Sequence, residues 1–202
     1  MDRFYGGIRK LVKVLVIILF RFNVIGEENI PEDRNYIACC NHISMCDPVF
    51  IMLAEKKRPV RFMAKESVFM MPVLGSVFRR IGAISVSRGG KGNLSAVKQA
   101  EDAIKRGDVL GIFPEGTRSR SGDLQQGKTG AVMIANKCGA GVLPCALVVS
   151  RGRVRPFKKI TLRIGTLIPV SEISVSGISS SDLREGTRKI MSAIAELKEQ
   201  NQ

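Results

Sequence analysis

Residues 36–57 read YIACCNHISMCDPVFIMLAEKK, and a strand, a turn and a helix meet in them. YIACC is an apolar run of strand length and composition. After it, Pro48 suits the first position of a helix over PVFIMLAEKK, and Asp47, biased away from α geometry by the proline that follows, is a natural N-cap. Residues 41–46 then form a tight connection at the end of a sheet strand. A strand handed directly to a helix is the repeating step of an α/β fold, and ligand sites favour that edge of the sheet.

The rest of the chain repeats the step. VRFMA, IGAISVS, VLGIF, VLPCALVV and ITLRIG are further strand candidates, each bounded by Gly, Pro or charge. Residues 48–57, 66–80, 94–106 and 128–138 carry helical patterns, with Asn93 and Gly107 suited to the two ends of the third. Residues 181–200 place Leu183, Thr187, Ile190, Ile194 and Leu197 on one stripe and read as a last amphipathic helix despite Gly186. The expected architecture is α/β, a mixed β-sheet flanked by helices. A chain of 202 residues with 45% apolar content is ample for one core, and no repeat or low-complexity linker divides it.

The opening residues stand apart. MDRFYGGIRKLVKVLVIILFRF spaces Phe4, Ile8, Leu11, Leu15, Ile18 and Phe22 alternately by four and three, with Arg3, Lys10 and Lys13 off the stripe, which describes a basic amphipathic helix. Its unbroken apolar run, residues 14–20, is far shorter than the ~20 residues a spanning helix needs, and Lys13 and Arg21 bracket it. No convincing small-residue cleavage site follows. The reading is a membrane-associating segment over residues 1–22 lying on the surface, monotopic or peripheral, at the cytoplasmic face, ahead of a domain over 23–202. The rival reading packs the same helix on the protein's own core.

With 32 Lys and Arg against 18 Asp and Glu, the formal charge is +14, which calls for an anionic partner: a membrane surface, a phosphorylated substrate, an acidic carrier or nucleic acid. The five cysteines are odd in number and mostly inside apolar runs, which argues against a disulfide framework. Cys39, Cys40, His42 and Cys46 lack a C-x-x-C pair, and neighbouring strand residues point to opposite faces, so no metal is expected.

His42 is the only histidine. In a straight helix, residues five apart lie about 140° apart around the axis, so His42 and Asp47 would not face each other there, but in a strand-to-helix turn they can. A carboxylate on one ring nitrogen fixes the tautomer and leaves the other free to take a proton. The plainer alternative has Asp47 only capping its helix. A second signal is VLGIFPEGTRSRSG, residues 109–122, in which an apolar strand ends in a turn of Pro114, Glu115, Gly116, Thr117, Arg118 and Ser119. Backbone amides, a hydroxyl and a guanidinium exposed there can hold a phosphate; Gly116 permits close approach and Glu115 can orient Arg118 or a substrate hydroxyl.

Together, NHISMCDP and FPEGTRS resemble the glycerophospholipid acyltransferase family, in particular its 1-acylglycerol-3-phosphate (lysophosphatidic acid) acyltransferases. The family's N-H-x-x-x-x-D box is matched by Asn41, His42 and Asp47, and its F-P-E-G-T-R-S box throughout by residues 113–119. IGAISVSR resembles a weaker box through Gly82 and Arg88, although Ser85 stands where an aromatic is usual, and GVLPCAL resembles the last box through Pro144. The resemblance implies acyl transfer from a thioester to a glycerol hydroxyl, with His42 as base and Asp47 orienting it. It also implies phosphate recognition by Arg88, Glu115, Gly116, Thr117 and Arg118, with Lys65 beside them, and Asn41, Pro114, Ser119 and Pro144 as supporting residues. The expected acceptor is lysophosphatidic acid and the product phosphatidic acid; the thioester is acyl-CoA or an acidic acyl carrier protein, and no cofactor is required. A thiolate leaves without much acid help, so one histidine is enough.

Other readings remain. The same family takes other acceptors, such as glycerol-3-phosphate or another lysophospholipid. Cys46 could serve as an acyl-carrying nucleophile. A basic membrane-binding module without catalysis would use RGRVRPFKKITLR, residues 151–163; nucleic acid is not expected, because aromatics are only 5% and no nucleic-acid motif is present. The Met-rich stretch ESVFMMPVLGSVF, preceded by Phe62 and Met63, suits an acyl-chain groove or an ordinary core. Arg61 is a further cation near Lys65.

Overall fold

The computed structural model describes residues 3–87, 91–149, 152–173 and 179–200. Its centre is a seven-stranded sheet. The strands in chain order are β1 (Arg21–Ile25), β2 (Tyr36–Cys40), β3 (Val60–Lys65), β4 (Ile84–Val86), β5 (Val109–Ile112), β6 (Gly141–Val149) and β7 (Lys159–Ile164). In space they run β1-β7-β6-β2-β5-β3-β4, and every neighbouring pair is parallel except β6 with β7, which makes the sheet mixed as expected.

Helices cover both faces. On one, α5 (Lys91–Lys105), α6 (Gly130–Cys138) and α8 (Ser180–Glu199) meet Ile37, Cys39, Leu110, Ile112, Val142 and Ala146. On the other, α1 (Arg3–Leu19) and α2 (Asp47–Ala54) meet Tyr36, Ala38, Cys40, Val109, Leu143 and Leu147. Covering both faces explains why YIACC is apolar throughout instead of alternating. Cys39 and Cys40 join opposite cores, so they do not present a shared pair of ligands. In α8 a Cβ at Gly186 would stand 2.4 Å from the Ile173 carbonyl, so glycine there allows the helix to lie against α7 (Val170–Ile173).

Several expectations are corrected. The opening helix stops at Leu19, and Phe22 belongs to β1, an edge strand not anticipated from sequence. The helix expected over 66–80 is two, α3 (Glu66–Phe69) and α4 (Pro72–Arg80), because Pro72 cannot continue the hydrogen-bond ladder. Helix α5 begins at Lys91, which puts Asn93 within it, and IGAISVS contributes only Ile84–Val86 as strand. Asp47 is the first residue of α2, with Cys46 in the cap position and no side-chain cap hydrogen bond. Asp47 is therefore helical despite the following proline, and its carboxylate turns back onto the preceding loop.

Candidate active site

Cys39 of β2 is paired with Ile112 of β5, so these parallel strands end at the same edge, and three residues later His42 and Glu115 stand side by side. Asn41 prepares the exit. Its buried side chain donates to the Leu147 carbonyl (3.1 Å) and accepts from the Leu147 amide (2.7 Å), extending the β2–β6 pairing past its last backbone partners.

His42 is held on all sides. Its amide donates to Glu115 Oε1 (2.7 Å), and its carbonyl accepts from the Ser119 amide (2.7 Å). Its ring stacks on Phe113 with centroids 4.1 Å apart. Nδ1 lies 2.7 Å from Asp47 Oδ2, which also accepts from the amides of Ile43 (2.7 Å) and Ser44 (2.8 Å). Asp47 has no solvent exposure. Three donors thus converge on one carboxylate oxygen, so Nδ1 carries the proton and Nε2 is the nitrogen left to accept one.

The turn after β5 has an inner and an outer side. Inside, Glu115 is buried, with its oxygens accepting from the amides of His42 and Gln125. Burial pushes its carboxyl above the ordinary glutamate range, against the pull of those two amides and of His42 and Lys198. Glu115 is engaged inward, away from the role of orienting Arg118. Pro114 accepts from the Lys128 amide and Ser119 Oγ from the Gly122 amide, so both brace the turn. Outside, Thr117 and Arg118 are exposed, and Gly116, at φ +68°, lies so close to Lys128 that a Cβ would meet its Nζ at 2.7 Å.

Two cavities share the wall made by Thr117 and Arg118. The first, of about 400 Å³, is lined by His42, Phe62, Met63, Lys65, Val68 and Phe78 with that wall. The second, of about 460 Å³, is lined by Ile43, Ser44, Arg120 and Arg153 with the same wall. The structure therefore brings His42, Asp47, Lys65, Gly116, Thr117 and Arg118 together. Pro144 is buried within β6 and borders neither cavity, and Arg88 lies outside the described residues. Arg61 is engaged elsewhere, donating to Asp108 and to the Ile81 carbonyl. Cys46 is exposed and borders neither cavity, and burial raises the Cys145 thiol to about 12. The Met-rich stretch divides: Met63, Val68 and Phe78 face the first cavity, whereas Met70, Met71 and Val73 are exposed.

Sequence reasoning did not single out Lys128, Arg120 or Arg153 for the site. Arg153 arrives because the loop after β6 crosses the turn after β5 at two glycines: a Cβ on Gly122 would stand 2.6 Å from Gly152 Cα. The paired glycines at 122 and 152 are the only trace of this crossing in the sequence.

Residues 21–148 match the family described as Acyltransferase. The chain belongs to that family. Among its relatives, the 1-acyl-sn-glycerol-3-phosphate acyltransferase of Borreliella burgdorferi is 37% identical over 125 residues, covering 61% of this chain and 50% of the relative. The Bacillus subtilis protein of the same description is 28% identical over 171 residues, covering 85% of this chain and 84% of its own. The crystal structure of the 1-acyl-sn-glycerophosphate (LPA) acyltransferase, PlsC, from Thermotoga maritima superposes with a TM-score of 0.73 at 28% identity, covering 98% of this chain and 81% of that one. The chain spans only 50% of the Borreliella relative and 43% of a chloroplast relative from Arabidopsis thaliana. The acyltransferase match takes in both His42 with Asp47 and the whole turn after β5.

Proposed function

We propose that this acyltransferase moves an acyl chain from a thioester to the free hydroxyl of 1-acyl-sn-glycerol-3-phosphate, giving phosphatidic acid. The observation that carries the reading is the 2.7 Å contact between His42 Nδ1 and the buried Asp47, on the rim of a cavity that also holds Lys65 and Arg118. The acceptor hydroxyl gives its proton to His42 Nε2 as its oxygen attacks the thioester carbonyl. Asp47 balances the imidazolium charge that forms. The tetrahedral adduct then collapses, the C–S bond breaks, and the thiolate of coenzyme A or of the carrier's pantetheine arm leaves. Arg118 and Lys65 hold the acceptor phosphate, which sets the hydroxyl against His42. Met63, Val68 and Phe78 give the same cavity an apolar wall for acyl chain.

The reaction takes place at an anionic membrane surface on the cytoplasmic side. Among the described residues no helix is long and apolar enough to cross a membrane. Helix α1 instead has two apolar sides. Tyr5 and Val16 are buried against the protein, while Leu11, Val14, Leu15, Ile17 and Ile18 are exposed, Ile17 by 67% and Ile18 by 61%. Helix α1 is thus docked on one side, and the exposed apolar residues are the ones this reading lays against lipid.

The test supplies lysophosphatidic acid, glycerol-3-phosphate and lysophosphatidylcholine separately, each with acyl-CoA and with acyl carrier protein thioester. Phosphatidic acid formed from the first acceptor supports the reading. Acylation of only the other two would replace it with a different acceptor.

A further inference from the structure

A third cavity, of about 630 Å³, shares no lining residue with the two beside His42 and lies between α1, β1 and the end of α2. Its apolar lining is Val16, Ile17, Phe20, Phe22, Val24 and Leu53. Its remaining lining residues are Gly6 and five cations, Arg9, Lys10, Lys13, Arg21 and Lys56, with no carboxylate among them. Arg9 is committed to the carbonyls of Leu53 and Lys56, and Lys56 pairs with Glu27. Among the described residues, Lys10, Lys13 and Arg21 have no carboxylate partner. An apolar groove lined also by three uncompensated cations matches an amphipathic anion: the cations take a negative headgroup and the groove takes a hydrocarbon chain. Its volume lies within the range of about 300–1,000 Å³ usual for ligand pockets.

We infer that this groove is a binding site for one anionic diacyl phospholipid of the membrane, distinct from the substrate cavities. The exposed face of α1 supplies the route: with Leu11, Leu15 and Ile18 among lipid tails, the groove opens at headgroup depth. The site has a structural consequence too. The same helix is pinned to the α2–β3 corner, where Tyr5 Oη accepts from the Val60 amide (2.8 Å), so a lipid clamped beneath α1 ties membrane contact to the helix that begins with Asp47.

The test uses the full chain in mild detergent and native mass spectrometry, with phosphatidylglycerol and phosphatidylcholine offered in equal amounts. One phosphatidylglycerol should be retained in preference to phosphatidylcholine. Replacing Lys10, Lys13 and Arg21 by Gln should weaken that retention by about fivefold per cation removed. Val24→Trp, which fills the groove and leaves every cation in place, should abolish it. Thermal melts check that both variants fold, and the exposed charge variant is decisive if Val24→Trp does not. Equal retention of the two lipids, no retained lipid, a second copy of the chain in its place, or retention unchanged in the variants overturns the site. Lipid retention does not depend on acyl transfer, so failure here leaves the proposed reaction standing, and the reverse.

Discussion

Around His42 each amide from residue 42 to 44 has a carboxylate oxygen as partner, and the ring is fixed by Asp47 on its edge and Phe113 on its face. Along α1 the opposite holds: Leu11, Val14, Leu15 and Ile18 stand exposed, and Lys10 and Lys13 carry no ion pair among the described residues. The ring and these amides are held by the protein's own groups, as catalysis needs the base in place before substrate arrives. The helix leaves apolar side chains exposed, and the proposed partner for them is a lipid phase. A ring held on edge and face suits proton transfer, and an exposed apolar helix side suits being covered.

That contrast can be broken most forcefully at His42. His42→Ala should lower turnover by about 10²–10⁴-fold, with a melting temperature close to that of the parent; normal turnover in the folded variant would end the assignment of the base. At Asp47 the two substitutions should separate. Asp47→Asn keeps an acceptor for the Ile43 and Ser44 amides but disturbs the ring tautomer, so turnover falls while most stability remains. Asp47→Ala leaves the partly buried amides of Ile43 and Ser44 and the ring N–H without their acceptor, for a summed loss above the ~1 kcal/mol of a lost helix cap. Asn behaving like Ala in both readouts would mean that Asp47 serves only the fold.

The next effects are of similar size in the two regions but of different kind. Arg118→Ala should raise the KM for the phosphorylated acceptor more than for the thioester, by the equivalent of about 1.5–3 kcal/mol. Equal losses for both substrates would remove Arg118 from the acceptor phosphate. Ile18→Gln should shift the protein from vesicles toward solution by about 1.5–3 kcal/mol with no change in melting temperature, read by vesicle sedimentation. A loss of stability without a change in partition would make the outer face of α1 part of the core.

What could be read in the sequence was whatever is local. YIACC, Pro48 and the single histidine announce a strand, a helix start and a candidate base within a few residues of one another. Strand β1 was not legible, because Phe22 continues the four-and-three spacing of the helix before it and an edge strand with one side in solvent carries little apolar signal. Asp47 was placed at its helix start and paired with His42, which the 2.7 Å contact matches; only the cap role fails, since a carboxylate there can serve the helix ahead or the loop behind, and the path of the loop decides. Arg153 depends on a crossing of two loops, and Glu115 on an amide 73 residues away, so neither role has a local signature.

Glu115 offers the smallest and most discriminating test of how tightly the turn beside His42 is built. Burial holds its folded-state pKa above the usual 4.5, even though two amides and nearby cations pull it down. The folded protein therefore keeps this proton to higher pH than the unfolded chain does. Stability from this group is fully present below the unfolded pKa and is lost as pH rises through the folded one, so its share of the slope of stability against pH is negative in the window just above 4.5. Glu115→Gln removes the titration and should make the melting temperature less dependent on pH there. It should also lower stability at every pH, because an amide nitrogen must replace one of the oxygens that accept from His42 and Gln125. Since the His42 amide is one of those donors, the variant should lose turnover as well, through ring placement. A variant with the parent's pH slope and full activity would show that the two turns are held together by their backbones alone, with Glu115 a passenger between them.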